Sequence, residues 1–194
     1  MTYKPFAIGT KFRIAPVDCS PSPDRIDLVM QRGAFGSGEH QTTRSCLELM
    51  ENMTGLEAAR VLDLGSGTGI LAIAALKLGA NHAVCVDIEA QAVETARANC
   101  ALNHLERRTT HIIGTLAEVY KTGFDVILAN IYGDILIDLA GPLSGKLKQG
   151  GALLLSGILW EYNFDVRKAY EQQGCQVVKN LMLEEFSTVL MKKL

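Results

Sequence analysis

The stretch Val61-Leu62-Asp63-Leu64-Gly65-Ser66-Gly67-Thr68-Gly69, followed by Asp87 at the end of a second apolar run, decides how this chain folds. Val61 to Leu64 reads as an apolar strand, the glycines as a turn whose backbone can touch a ligand, and Ile70 onward repeats apolar residues at helical spacing. The glycine spacing limits the ligand. A dinucleotide fingerprint, G-x-G-x-x-G, needs its third glycine at position 70, where this chain has Ile70; the glycine comes one place early, at Gly69. The Lys-Ser/Thr pair of a triphosphate-binding P-loop is missing as well. Asp87 stands about 20 positions beyond the first glycine, where a carboxylate accepts hydrogen bonds from both hydroxyls of a ribose. The sequence thus points to a nucleoside-type ligand without a pyrophosphate.

Composition frames this reading. With 194 residues the chain can bury about 70% of the surface its unfolded form exposes, so one core suffices without a disulfide or metal staple. The five cysteines, Cys19, Cys46, Cys85, Cys100 and Cys175, show no C-x-x-C spacing, and no metal site is expected. Net charge is −2, and basic residues gather only at Arg107-Arg108 and Lys192-Lys193, so stable nucleic-acid binding is not expected. Neither a secretory leader nor an apolar run of about 20 residues is present, which predicts a cytoplasmic protein without membrane attachment.

Strand and helix signals alternate after residue 59, the pattern of an α/β fold with a mostly parallel sheet covered by helices. Strands are predicted near 60–64, 83–87, 109–113, 124–130 and 152–156, and helices near 70–78, 90–102, 134–147 and 163–173. Gly79, Gly150 and Gly174 stand where helices should end. Two further runs, 176–182 and 186–191, read as a closing antiparallel hairpin. Residues 1–32 differ: strand candidates 12–16 and 26–31 flank the proline-rich 20–24, which predicts a hairpin-like lead-in packed on a main domain of residues 33–194.

A second glycine-rich segment, Gly33-Ala34-Phe35-Gly36-Ser37-Gly38-Glu39-His40-Gln41-Thr42-Thr43, precedes a helix for which Thr42 or Thr43 is a good N-cap. Free backbone N–H groups at that helix start, with the Thr43 hydroxyl, suit a ligand carboxylate. An ordinary glycine loop and cap is the plainer alternative.

The D-x-G-x-G-x-G form of residues 63–69 resembles motif I of the class I S-adenosylmethionine (SAM) dependent methyltransferases. Together with Phe35-Gly36-x-Gly38-x-His40-x-Thr42-Thr43, with Gly69-Ile70-Leu71-Ala72-Ile73-Ala74-Ala75, with Ala129-Asn130-Ile131 and with Leu155-Ser156-Gly157-Ile158-Leu159, it resembles the bacterial ribosomal protein L11 methyltransferases (PrmA type). The resemblance runs from about Phe6 to the C-terminus. It implies a Rossmann-like domain with a seven-stranded sheet and helices on both faces. SAM would be contacted by Thr43, Gly65, Asp87 and Asn130, with Phe35, Asp63, Gly67, Gly69 and Ile88 completing the cofactor site. The implied reaction is methylation of amino groups of a ribosomal protein, leaving S-adenosylhomocysteine. Family members carry a separate N-terminal substrate-capture domain, and this chain begins at what corresponds to the linker. Where the family continues Asn-Ile-Leu-Ala, this chain has Asn130-Ile131-Tyr132-Gly133, followed by Asp134.

Asn130, Ile131 and Tyr132 are the candidate catalytic residues. Asn130 ends an apolar strand, where open α/β sheets place ligands, and its amide can orient a substrate amine toward a methyl donor. Glu39, His40, Tyr132 and Asp134 are further candidates for binding or deprotonating that amine. The competing readings make His40 a loop brace, Tyr132 a packing residue or lid, Asp134 a helix cap, and Trp160 and Tyr162 core aromatics. Two other functions fit the same motifs: a small-molecule N-methyltransferase of this fold, and a SAM-binding module without activity.

Overall fold

A computed structural model describes residues 3–31 and 40–194. Three short strands, β1 (Phe6–Ile8), β2 (Phe12–Ala15) and β3 (Ile26–Val29), precede α1 (Gln41–Met50). The alternating part comprises β4 (Arg60–Leu64), α2 (Ile70–Lys77), β5 (His82–Asp87), α3 (Ala90–Leu102), β6 (Thr109–Ile113) and β7 (Phe124–Asn130). It continues with α4 (Gly133–Asp138), α5 (Ala140–Lys146), β8 (Leu147–Leu159), α6 (Trp160–Glu171), β9 (Cys175–Met182) and β10 (Phe186–Lys193). None of the helices described is long and apolar enough to cross a membrane.

The main sheet has the order β6-β5-β4-β7-β8-β10-β9. Strands β6 to β8 are mutually parallel, and β10 runs antiparallel to both of its neighbours. From β4 the chain winds one way to β5 and β6, then crosses back to β7 and β8, so a switch point opens between the carboxyl ends of β4 and β7. Alternate residues of each central strand serve opposite faces. Val61, Cys85, Val126 and Leu128 belong to the cluster that holds α1 and α2, whereas Leu62, Val84, Ile127 and Ala129 belong to the one that holds Leu136, Leu143 and Val166 of α4 to α6. Burial on both faces explains why these strands read as continuous apolar runs.

The lead-in corrects the hairpin expected between 12–16 and 26–31: β2 and β3 pair in parallel, and β1 with β2 makes the antiparallel turn. Arg13 and Asp27, opposite each other in the parallel register, form a bidentate pair at 2.6 and 2.9 Å that fixes the alignment. Ile8, Phe12, Ile14, Leu28 and Met30 are buried in the same cluster as α1 and α2. The Asn103 side chain substitutes for a neighbouring strand, accepting from Val29 N at 3.1 Å and donating to Val29 O at 2.7 Å.

Two other expectations change. The helix predicted over 134–147 is broken into α4 and α5, because Pro142 has no N–H and its ring opposes the carbonyl four residues back, at Asp138. Gly150 ends no helix; it lies within β8, where the pairing with β7 slips between Phe124 and Val126.

Glu51, just past α1 and 6% exposed, accepts hydrogen bonds from Thr10 N, Thr10 Oγ1 and Lys11 N at 3.0, 2.8 and 2.7 Å. Burial favours its neutral form, but the N–H groups of Lys11 and Thr10 with the Thr10 hydroxyl outweigh this and hold the carboxyl below its ordinary value. A depressed folded pKa gives stability that is present above the unfolded value, about 4.3, and lost as pH falls through the folded one. Glu51→Ala is expected to destabilise the fold by about 3 kcal/mol at pH 7, with a smaller loss at pH 3. Urea unfolding at the two pH values checks this, and equal losses at both would contradict the role given to the carboxylate.

Candidate functional site

At the end of β4 the chain turns sharply over β5: Gly65 N and Ser66 N both donate to Val86 O, at 2.8 and 3.0 Å. Gly67 N donates to Asp87 Oδ2 at 2.8 Å, and Glu89 N to Asp87 Oδ1 at 3.0 Å. Each carboxylate oxygen keeps a second lone pair for ligand hydroxyls, so Asp87 both shapes the turn and faces what the turn holds. Ile88, beside it, is 71% exposed and offers an apolar surface next to that carboxylate. Gly69, the N-cap of α2, packs against Ala96 of α3.

Asp63 and Ser66 test whether this turn fits a SAM-type ligand. Asp63 is 1% exposed; its Oδ2 accepts from Ala72 N at 3.1 Å, and its Oδ1 has no partner among the described residues. Burial pushes its pKa up to about 7, the Ala72 N–H offsets part of that, and the Asp87 charge adds to it. Ser66 Oγ is a second buried polar atom in the same turn with no partner among the described residues. Such groups are rare in folded proteins without a ligand or water to satisfy them. A ligand with a cationic amino-acid tail and a ribose suits this donor and acceptor set.

On the other side of the switch point, Asn130 Nδ2 donates to Thr43 Oγ1 at 3.4 Å, joining β7 to the first turn of α1. Thr43 is 2% exposed. The N-cap of α1 is His40 rather than Thr42 or Thr43, because its ring Nδ1 accepts from Thr42 N and also meets Thr42 Oγ1 at 2.8 Å. The ring packs edge-on against Phe186, with centroids 5.4 Å apart, which is the bracing arrangement. Phe35 and Glu39 lie outside the described residues.

Ile131 N donates to Ser156 O at 3.1 Å, and its side chain covers Gly65. Tyr132 is 72% exposed and is the N-cap of α4 without a side-chain hydrogen bond. Asp134 lies in the first turn of that helix and does not cap it. Tyr162 is partly buried against the core beneath Gly133. Trp160 is half exposed, its indole N–H held by Phe186 O at 3.0 Å.

Asn99 was not anticipated. Fully buried on α3, it accepts from Gln31 N at 2.9 Å and donates to Thr68 O at 2.9 Å, clasping the lead-in to the glycine turn. Its only trace in the sequence is a pair of asparagines one helical turn apart, Asn99 and Asn103, on the face that also carries Ala96 and Cys100.

The sheet order, the glycine turn after the first central strand and the acidic residue ending the second define the Rossmann-like fold of the class I SAM-dependent methyltransferases. Within that class the chain belongs to the ribosomal protein L11 methyltransferase (PrmA) family, whose model matches residues 1–194. The ribosomal protein L11 methyltransferase of Pelobacter propionicus is 47% identical over 181 residues, covering 90% of this chain and 57% of the relative. That of Geobacter metallireducens is 40% identical over 191 residues, covering 97% and 62%. The chain therefore spans only part of the length of these relatives. In three dimensions it is similar to a ribosomal protein L11 methylase from Lactobacillus delbrueckii subsp. bulgaricus, with a TM-score of 0.86 and 28% identity over the whole of both chains.

Two outcomes are expected. Asp87→Ala should weaken binding of S-adenosylhomocysteine about ten- to a hundredfold, the worth of charge-assisted hydrogen bonds to a ribose; unchanged affinity by calorimetry contradicts the assignment. Asp63 holds its proton more tightly in the folded than in the unfolded chain. Its ionisation therefore removes stability as pH rises from about 4 to about 7. Wild type should lose stability relative to Asp63→Asn across that window and track it above; a constant difference would show that Asp63 does not titrate there.

Proposed function

We propose that this chain is the catalytic part of a SAM-dependent methyltransferase that acts in the cytoplasm on amino groups of a ribosomal protein, releasing S-adenosylhomocysteine. Residues 33–194 form the methyltransferase domain in this reading, with 1–32 as a lead-in packed on it. The names of the relatives support the substrate class. The observation that carries the reading is the bond from Asn130 Nδ2 to Thr43 Oγ1 across the switch point, which brings the amide and the start of α1 to one place.

SAM, when bound, supplies an electrophilic methyl group on a sulfonium. Asp87 would hold the ribose hydroxyls, Ile88 would lie along the nucleoside, and Gly65, Gly67 and Gly69 would let backbone approach it. The buried Asp63 carboxyl would complement the cationic end of the tail, and Thr43 at the start of α1 would take its carboxylate. Asn130 Oδ1 accepts an N–H of the substrate amine and points the nitrogen lone pair along the line of transfer. Ile131 keeps Asn130 in place, and the exposed Tyr132 forms the rim on which the substrate rests. An in-line displacement gains chiefly from this alignment. His40 Nδ1 braces Thr42, and in this reading the amine sheds its proton before docking; for lysine this costs about 4 kcal/mol at pH 7.4, part of which desolvation offsets.

Methyl-labelled SAM, incubated with the chain and an undermethylated ribosomal protein fraction, should label a single protein band; label confined to small molecules would point instead to a small-molecule acceptor. Asn130→Ala should lower kcat at least a hundredfold, a larger loss than its effect on SAM affinity. Wild-type turnover by the variant is the result this mechanism does not survive.

A further inference from the structure

Behind the site, three fully enclosed hydroxyls belong to three different elements: Ser45 of α1, Thr188 of β10 and Ser156 of β8, at most 2% exposed. Ser45 Oγ lies 2.5 Å from Thr188 Oγ1, which lies 2.6 Å from Ser156 Oγ. Their order is fixed by the far end. Ser45 Oγ donates its one proton to Thr42 O at 2.9 Å, so it accepts from Thr188, and Thr188 in turn accepts from Ser156. The hydroxyls form a single directed chain, and bonds in such a chain strengthen one another in a dry interior.

Both ends of this chain touch the site. One end is the carbonyl of Thr42, next to Thr43. The other is Ser156, which pairs with Asn130 across the sheet and whose carbonyl receives Ile131 N at 3.1 Å. At that point β8 and β10 slip register: Ile158 faces Ser187 and Leu155 faces Val189, so Ser156 and Gly157 together oppose Thr188 alone. Gly157 has a φ of +78° there. This is a β-bulge with a left-handed glycine, a device that re-aims side chains beside functional sites. Thr188 is the one residue opposite the bulge, and its hydroxyl fastens the bulge to α1.

We propose that Thr188 is a positioning residue: the chain Ser156–Thr188–Ser45–Thr42 locks the first turn of α1 onto the bulge that seats Ile131, and thereby sets the spacing of Thr43 and Asn130. The proposal rests on the reading above for the roles of Thr43 and Asn130, and on the hydroxyl chain alone for the coupling.

Thr188→Val removes the hydroxyl at nearly constant shape, whereas Thr188→Ser keeps it and loses a methyl. Nuclear magnetic resonance of the free protein reads the Asn130 side-chain amide and the Ile131 N–H directly, and calorimetry with S-adenosylhomocysteine reads the site. Thr188→Val should shift or broaden both resonances and weaken binding about tenfold, with Thr188→Ser within about twofold of wild type. Should the valine variant not fold, Ser45→Ala breaks the next link and must perturb Asn130 in the same way. Wild-type resonances in Thr188→Val or Ser45→Ala overturn the proposal, as does a serine variant as impaired as the valine one. If wild type binds no S-adenosylhomocysteine, the proposed function fails while the resonances still decide the coupling.

Discussion

Ile131 is seated between two positions that have no room for a side chain. A Cβ at Gly65 would lie 2.3 Å from Ile131 Cγ2, and one at Gly157 would lie 2.6 Å from Ile131 O. Both glycines also have positive φ, +69° and +78°, which other L-residues rarely adopt. The ends of β4 and β7 and the end of the β7–β8 pairing therefore meet at one point, in contact with a single residue. That contact keeps Asn130 at the mouth of the switch point, beside a glycine turn whose Gly67 N–H is bonded to Asp87. The cofactor turn and the acceptor residue are thus two consequences of one packing constraint.

Around it the electrostatics are arranged at the expense of stability. Asp63 is buried with one oxygen unpartnered among the described residues, and the neighbouring charge of Asp87 makes its ionisation harder still. A chain selected only for folding would replace such a group with an apolar one. Its retention makes sense where a cationic ligand completes the site. The opposite holds at Glu51, where three hydrogen bonds satisfy a buried carboxylate and fasten the lead-in to α1.

Much of this architecture was legible because its signals are local. The strands at 60–64, 109–113 and 124–130 and the helix at 90–102 form where apolar runs and helical spacing place them. The break at Pro142 was also written in the sequence, but the apolar residues on either side read as one helix. What could not be read depends on distant partners. The parallel pairing of β2 and β3 rests on Arg13 meeting Asp27 and on packing against α1 and α2. The cap at His40 runs against the usual preference for threonine, because an imidazole nitrogen takes the place of a hydroxyl. Thr43 and Asn130, 87 residues apart, were paired through family resemblance rather than spacing, and their contact in the structure has a simple geometry. The chain from Ser45 through Thr188 to Ser156 joins residues 143 and 32 positions apart, and no pattern in the sequence announces it.

The central claim is that one SAM-type ligand spans the switch point from Asp87 to Asn130. A crystal structure of the chain with S-adenosylhomocysteine tests it most directly. The account predicts ribose hydroxyls within about 3.2 Å of the Asp87 carboxylate, the amino-acid tail between Asp63 and Thr43, and the sulfur turned toward Asn130. A ligand seated elsewhere, or one bound in the glycine turn with its sulfur directed away from Asn130, would contradict it.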